Sequence, residues 1–220
     1  AEYGITVRWD KNFLKVIRLL LERRAEFRMF GGIRFGSSIT EKTAFEEYGF
    51  DHVALCIGAG RPNIIDIKNN FSKGIRSASD FLMALQLTGA FKKELFTNLQ
   101  IRMPVLVVGA GLTAIDTACE AQAYYLVQIE KFAEKYQKLS QILGENKVLQ
   151  ELNEEDKIIA AEFLAHAKEA ENSKDKSALL KKWGGSRVIY RKNIQNSPAY
   201  RFNHKEIEKA FAEGVELVEN

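Results

Sequence analysis

The sequence predicts an α/β chain: a parallel sheet carrying a helical insertion, preceded by part of a second α/β domain. Three observations predict this. Residues 105–121, VLVVGAGLTAIDTACEA, run apolar, break at Gly109-Ala110-Gly111 and restart as an Ala-rich helical pattern. A second apolar run, Val188 to Tyr190, ends in Arg191-Lys192 and arrives far later than a compact strand-helix-strand unit would place it. Between them, from Tyr124 to Ser186, there is no arginine, and apolar residues recur at helical spacing. Strand, glycine turn, helix and a delayed strand make a Rossmann-like unit with an insertion.

Composition narrows the function classes. An apolar fraction of 46% over 220 residues is that of an ordinary globular chain. A net charge of +3 from 32 basic and 29 acidic residues gives no nucleic-acid footprint. No apolar run approaches the roughly 20 residues that span a bilayer, and the first residues lack a signal-peptide core, so the expectation is a soluble, cytoplasmic chain. Cys56 and Cys119 stand far apart, with no C-x-x-C and no metal-ligand spacing. They are expected to be buried thiols in a reducing compartment, and no metal ligand is named.

Taking the elements in order, FLKVIRLLLERRAEF places Phe13, Leu14, Val16, Ile17, Leu20 and Leu21 at helical spacing, after which EFRMF and IRF read as extended. Gly49 marks a turn before an apolar strand from Val53 to Ile57 with a glycine-rich exit. Such short apolar runs suit a strand buried on both faces of a parallel sheet. SASDFLMALQLTG offers Ser77 or Ser79 as an N-cap and Gly89 as a stop, hence a short helix. Pro104 then opens the strand that leads into the glycine turn.

The turn has a specific physics. After a strand, the first glycine of G-x-G-x-x-G/A makes the bend, the second leaves the backbone bare for a pyrophosphate, and the third position stays small so that helix and strand pack closely. Gly109, Gly111 and Ala114 fit these roles, and the segment Gly109, Ala110, Gly111, Leu112, Thr113, Ala114 is the candidate cofactor-binding turn. The helix starting near Leu112 points free N–H groups and its positive dipole end at the phosphates. A strand-helix turn with no ligand is the alternative.

A residue that reads the adenosine ribose belongs roughly 20 residues past such a turn. Counting reaches Glu130, but no turn signal precedes it, and Tyr125, Ile129, Phe132, Tyr136, Leu139 and Leu143 continue one helical stripe. Glu130 is therefore read as a solvated helix residue, with the helix running to Gly144. NEEDKIIAAEFLAHAKEAE is a second helix with an acidic first turn, and SKDKSALLKKW a third ending at Gly184-Gly185. His166, on the second of these, has no partner spaced for metal and reads as a surface or packing residue. The delayed strand then ends in Arg191 and Lys192, a planar fork of donors and a point charge, which suit a ribose 2′-phosphate and favour NADPH over NADH.

In these residues the chain resembles the FAD-dependent pyridine nucleotide oxidoreductases of the glutamate synthase small-subunit type. VLVVGAGLTAIDTA is similar to that family's nicotinamide-nucleotide turn, with Thr113, Ala114 and Asp116 matching its Thr-Ala-x-Asp. VIYRK, Pro198-Ala199 and EIEKAFAEGVE resemble its later elements in the same order, and ALCIGAGRPN resembles the passage from flavin domain to nucleotide domain. The likeness covers most of 4–123 and 187–220. Departures are Ala110 and Leu112 for a glycine and a polar residue, Lys192 for a second arginine, Ser197 for methionine, and the insertion itself.

The resemblance implies three parts: residues 1–66 as a partial flavin-domain segment, 67–123 with 187–220 as the NAD(P)-binding Rossmann domain, and 124–186 as the insertion. It implies NADPH as cofactor, with hydride passing to an FAD held by the flavin domain of a full-length enzyme, and no catalytic side chain of its own. No second glycine turn precedes the first, so FAD is not expected on this chain alone, which is then expected to be inactive. The insertion offers a surface for a homo-oligomer or a protein partner. The alternative reading is a degenerate nucleotide fold acting as an interaction module through that insertion.

Overall fold

The computed structural model describes residues 12–56 and 63–219, with the backbone only for 12–14. These residues form two units, one ending at Ile64 and one beginning at Ile65.

The later unit is built on three parallel strands, β1 (Val105–Val108), β2 (Ser186–Tyr190) and β3 (Glu216–Glu219), in the order β1-β2-β3. Val107 faces Val188 and Val188 faces Leu217 across the sheet. Parallel neighbours need crossovers, and each crossover here contains a helix. β1 leads to α4 (Leu112–Leu143), and β2 leads to α8 (Pro198–Ala212). Both helices lie on one face of the sheet, where Val107, Val188, Ala114, Ile115, Ala118, Cys119, Ala199, Ile207 and Ala210 form one buried cluster. The alanines explain the closeness: small residues on both helices let backbone approach backbone. Cys119 is buried as expected. Pro104 enters β1 against Gly184, where an added Cβ would lie 2.9 Å from the proline Cβ.

Ahead of β1, α3 (Ala78–Leu87) starts at Ser77, whose hydroxyl accepts from the Asp80 N–H, and buries Phe81, Leu82 and Leu85 against Ala121 and Tyr124 of α4. The irregular segment between α3 and β1 is fastened to one face of α4 by side chains. The Tyr124 hydroxyl accepts from the Leu99 N–H at 2.9 Å and donates to Asn98 Oδ1 at 3.0 Å. The Gln128 amide accepts from the Ile101 N–H and donates to the Ile101 carbonyl, both at 2.8 Å. Lys131 donates to the carbonyls of Ala90 and Thr97 at 3.0 and 2.6 Å. Positions 124, 128 and 131 share a helix face, so one stripe supplies backbone partners to a segment that has no ladder of its own.

α4 does run unbroken to Gly144. It is followed by α5 (Glu145–Glu151), a short helix that sequence reasoning missed, then α6 (Glu154–Asn172) and α7 (Lys176–Lys182). Asn153 caps α6 by accepting from the Asp156 N–H, and three acidic residues fill the first turn, as helix-dipole electrostatics favours. α6 and α7 pack on the second half of α4 through Ile129, Ile159, Phe163, Leu180 and Trp183. Glu130 is exposed and ion-paired with Lys93, in keeping with its reading as a surface helix residue.

In the earlier unit, α1 (Asn12–Glu22) and α2 (Glu41–Glu46) are helical, the latter closed by a reciprocal Thr40–Thr43 capping box. The extended segments expected at EFRMF and IRF are not strands. Apart from an isolated bridge between Phe35 and Ile39, this stretch is turns and irregular chain. Val53–Cys56 is likewise irregular, correcting the expected strand there, and Ile57 with the following glycine-rich exit lies outside the described residues. The physical reason is shared. A strand needs a paired neighbour, and Met29, Phe30, Ile33 and Leu55 remain exposed among the described residues. Cys56 is exposed for the same reason, against the expectation that it would be buried.

Candidate functional site

The predicted site residues meet at the C-terminal edge of the sheet. β1 ends at Val108, opposite Ile189 of β2, and the Gly109 N–H donates to the Ile189 carbonyl at 3.0 Å. Gly109 then turns with φ +122°, a conformation side-chain-bearing residues rarely adopt. Gly111 is the N-cap of α4 in extended conformation, and no side chain caps it. The first hydrogen bonds of the helix run from the Ala114 and Ile115 N–H groups to the Gly111 carbonyl, at 3.0 and 3.2 Å. The Leu112 and Thr113 amides precede them and have no helical acceptor.

Space above the turn is open. A Cβ built on Gly109 or Gly111 would meet no atom within 4 Å. Ala110 and Ala114 point the other way, buried in the sheet-helix core, while Leu112 packs beside them and Thr113 is exposed. The missing side chains thus fall on the open side and the small ones on the packed side.

Arg191 and Lys192 follow directly on β2, at the same edge and on the strand adjacent to the turn. Both are exposed, and neither forms an ion pair with another described residue. The chain after them is fixed by Glu219 at the tip of β3, whose carboxylate accepts from the Ile194 N–H at 2.7 Å and from Asn193 Nδ2 at 3.2 Å. A second helix start also reaches the turn. Ser197 caps α8 by accepting from the Tyr200 N–H, and the Ala199 N–H donates to the Ala110 carbonyl at 3.2 Å. Sequence reasoning missed Asn193, Glu219 and this contact. Asn193 and Ser197 carried local capping signals, whereas the reach of Glu219 depends on the sheet.

Away from this edge, His166 is not a bare surface residue. Its Nδ1 lies 2.6 Å from the Tyr125 hydroxyl and its ring stacks on Trp183, centroids 4.2 Å apart. Burial holds its pKa below the usual histidine range, against the opposing pull of Glu162 and Glu169, with Lys182 adding to the lowering. Burial likewise raises the Tyr125 pKa and lowers that of Lys131. Among the described residues no group of acids, histidines and cysteines is placed to hold a metal, and no helix is long and apolar enough to cross a membrane.

No family model matches the chain. It is 48% identical over 223 aligned residues to an uncharacterized protein of Rickettsia prowazekii (strain Madrid E), in an alignment that takes in all of this chain and 30% of that relative. The chain therefore spans less than a third of the relative's length.

Proposed function

We propose that this chain is the NADPH-binding portion of a flavin-dependent oxidoreductase of the type its motif order resembles. One observation carries the reading: a bare glycine turn and a pair of exposed cations end adjacent, hydrogen-bonded strands. Gly109, Ala110 and Gly111 leave backbone open to a pyrophosphate, and the Leu112 and Thr113 amides with the α4 dipole attract its charge. Ala114 lets the helix start lie close to the strand. Arg191 and Lys192 bind the 2′-phosphate as a fork and a point charge. NADPH, when bound, supplies the hydride. This chain's residues hold and orient it, and FAD belongs to the flavin domain of a longer protein.

The test is a calorimetric titration of the purified chain with NADPH and NADH. NADPH is expected to bind more tightly, because charged hydrogen bonds to a phosphate are each worth about 1.5 to 3 kcal/mol. Replacing Arg191 and Lys192 together with alanine should remove the preference. Equal affinities in the unaltered chain overturn this reading of the strand tip.

A further inference from the structure

A cleft of about 170 Å³ lies where the second half of α4, the start of the segment before β1 and α5 come together. α5 follows α4 directly at Gly144 and packs against it, so the two helices enclose the apolar side of the cleft. Phe132, Tyr136 and Leu139 of α4 line that side together with Val148 of α5 and Leu152, which closes α5. The rings of Phe132 and Tyr136 stack with centroids 6.0 Å apart. An apolar cavity of about 150 Å³ is roomy enough to take up benzene. This cleft therefore has space for one ring, or for a branched aliphatic group of the same size.

Another wall of the cleft is cationic. Lys131 and Lys135 both line it, four residues and so about one turn apart on α4. An ammonium group has three donors. Lys131 uses two of them on the carbonyls of Ala90 and Thr97, and Lys135 uses one on the Leu95 carbonyl at 2.8 Å, its Nζ lying 4.4 Å from the centre of the Phe96 ring. Carbonyls and a ring face ease these charges without cancelling them, and among the described residues no carboxylate bonds to either ammonium. Lys131 is buried, and burial first, then the neighbouring Lys135, push its pKa below the ordinary lysine value against the pull of Glu94. Two like charges beside one apolar cleft, one of them out of water, are stabilised by an anion placed between them.

We propose that this cleft binds a small carboxylate with an apolar body of about benzene size, the carboxylate accepting from Lys131 and Lys135 and the body lying against Phe132, Leu139 and Val148. The site lies away from the glycine turn and is independent of the nucleotide reading. The probe is sodium benzoate, titrated into the full chain at constant ionic strength and followed by amide and methyl NMR shifts. Saturable shifts are expected at Leu139, Val148 and Leu152, with nuclear Overhauser contacts from the benzoate ring to their methyl groups. Benzamide has the same shape without the charge and is expected to bind at least tenfold more weakly, since hydrogen bonds between charged partners are the stronger kind. That comparison needs no variant. Lys135→Met keeps the apolar stem at a half-buried position and removes the charge; with folding checked by circular dichroism, it should weaken benzoate at least tenfold and leave benzamide unchanged. Four results overturn the proposal: no saturable shift with benzoate, shifts centred on residues 109–114 that NADPH abolishes, equal affinities for benzoate and benzamide, or a folded Lys135→Met chain that binds benzoate as tightly as the unaltered one.

Discussion

Two alanine substitutions, two residues apart, separate a ligand-binding turn from a merely structural one. Gly109 sits at φ +122° and Gly111 at φ −84°, yet both face open space. Gly109→Ala must hold a side-chain-bearing residue in a sparsely populated conformation, at a cost of about 1 to 3 kcal/mol. Gly111→Ala meets neither strain nor neighbour; restricting the unfolded chain favours it by about 0.4 to 1 kcal/mol, and the poorer N-cap preference of alanine offsets a similar amount. Its methyl group projects into the space a pyrophosphate must enter. The expected pattern in urea unfolding is a destabilised Gly109→Ala and an unchanged or stabilised Gly111→Ala. In an NADPH titration, Gly111→Ala should weaken binding at least tenfold, about 1.4 kcal/mol. A Gly111→Ala protein that is stable and binds NADPH as tightly as the unaltered chain refutes the assignment of this turn to the pyrophosphate.

Replacing Gln128 with leucine keeps the volume but strands the N–H and carbonyl of half-buried Ile101, and urea unfolding should report a loss of about 1 to 3 kcal/mol; a loss under about 0.5 kcal/mol would show that the fastening of the segment before β1 is incidental. The pH dependence of stability should reveal His166. Its folded pKa is lowered, so the unfolded chain takes up the proton first; the contribution is full well above about pH 6.5 and is lost as pH falls through that value towards the lower folded pKa. Unfolding measured between pH 8 and pH 5 should show this decline, flattened in His166→Gln. The window avoids Glu169, whose pKa is lowered by Lys182 and Trp183 and which titrates below it. An equal slope in both proteins would remove the histidine from the account. Finally, the described residues hold one strand–glycine turn–helix unit of the nucleotide-binding kind, so the purified chain should be colourless and should not oxidise NADPH in the presence of a dye acceptor; a yellow preparation, or an appreciable rate, contradicts the assignment of FAD to other polypeptide.

What the sequence made legible was whatever is encoded within one turn of chain. The Ser77 cap, the bend at Gly109-Ala110-Gly111, the acidic first turn of α6 and the uninterrupted stripe from Tyr125 to Leu143 all depend on neighbours no more than a few residues apart, and each appears where the pattern puts it. The strands expected at 26–30, 33–35 and 53–57 depended instead on a partner strand, and without one the described residues of these stretches, which end at 56, stay outside any ladder of strands. The contacts that fix the site were invisible for a related reason. Glu219 bonds to residues 25 and 26 positions away, and the Ala199 to Ala110 bond spans the whole insertion. Only the cap-forming half of such pairs carries a local signal.

The delayed strand follows from the length of α4. A four-residue strand such as β1 advances about 13 Å, whereas a 32-residue helix advances about 48 Å. A chain leaving α4 at Gly144 is therefore far past the start of the next parallel strand and has to travel back. α6, with 19 residues, covers about 28 Å of the return while burying Ile159 and Phe163 against the same helix it retraces. α7 brings the chain to Gly184 and Gly185, and β2 begins beside β1 with the Val105 N–H bonded to the Gly185 carbonyl. The helices of residues 145–182 are thus the return path demanded by a long helix, which is held near its start by the sheet through Ala114, Ile115 and Ala118, and near its middle by α6 and α7 through Tyr125 and Ile129. The amides of Leu112 and Thr113 take their direction from this doubly braced rod, which fixes where an anion at the glycine turn would have to sit relative to Arg191 and Lys192.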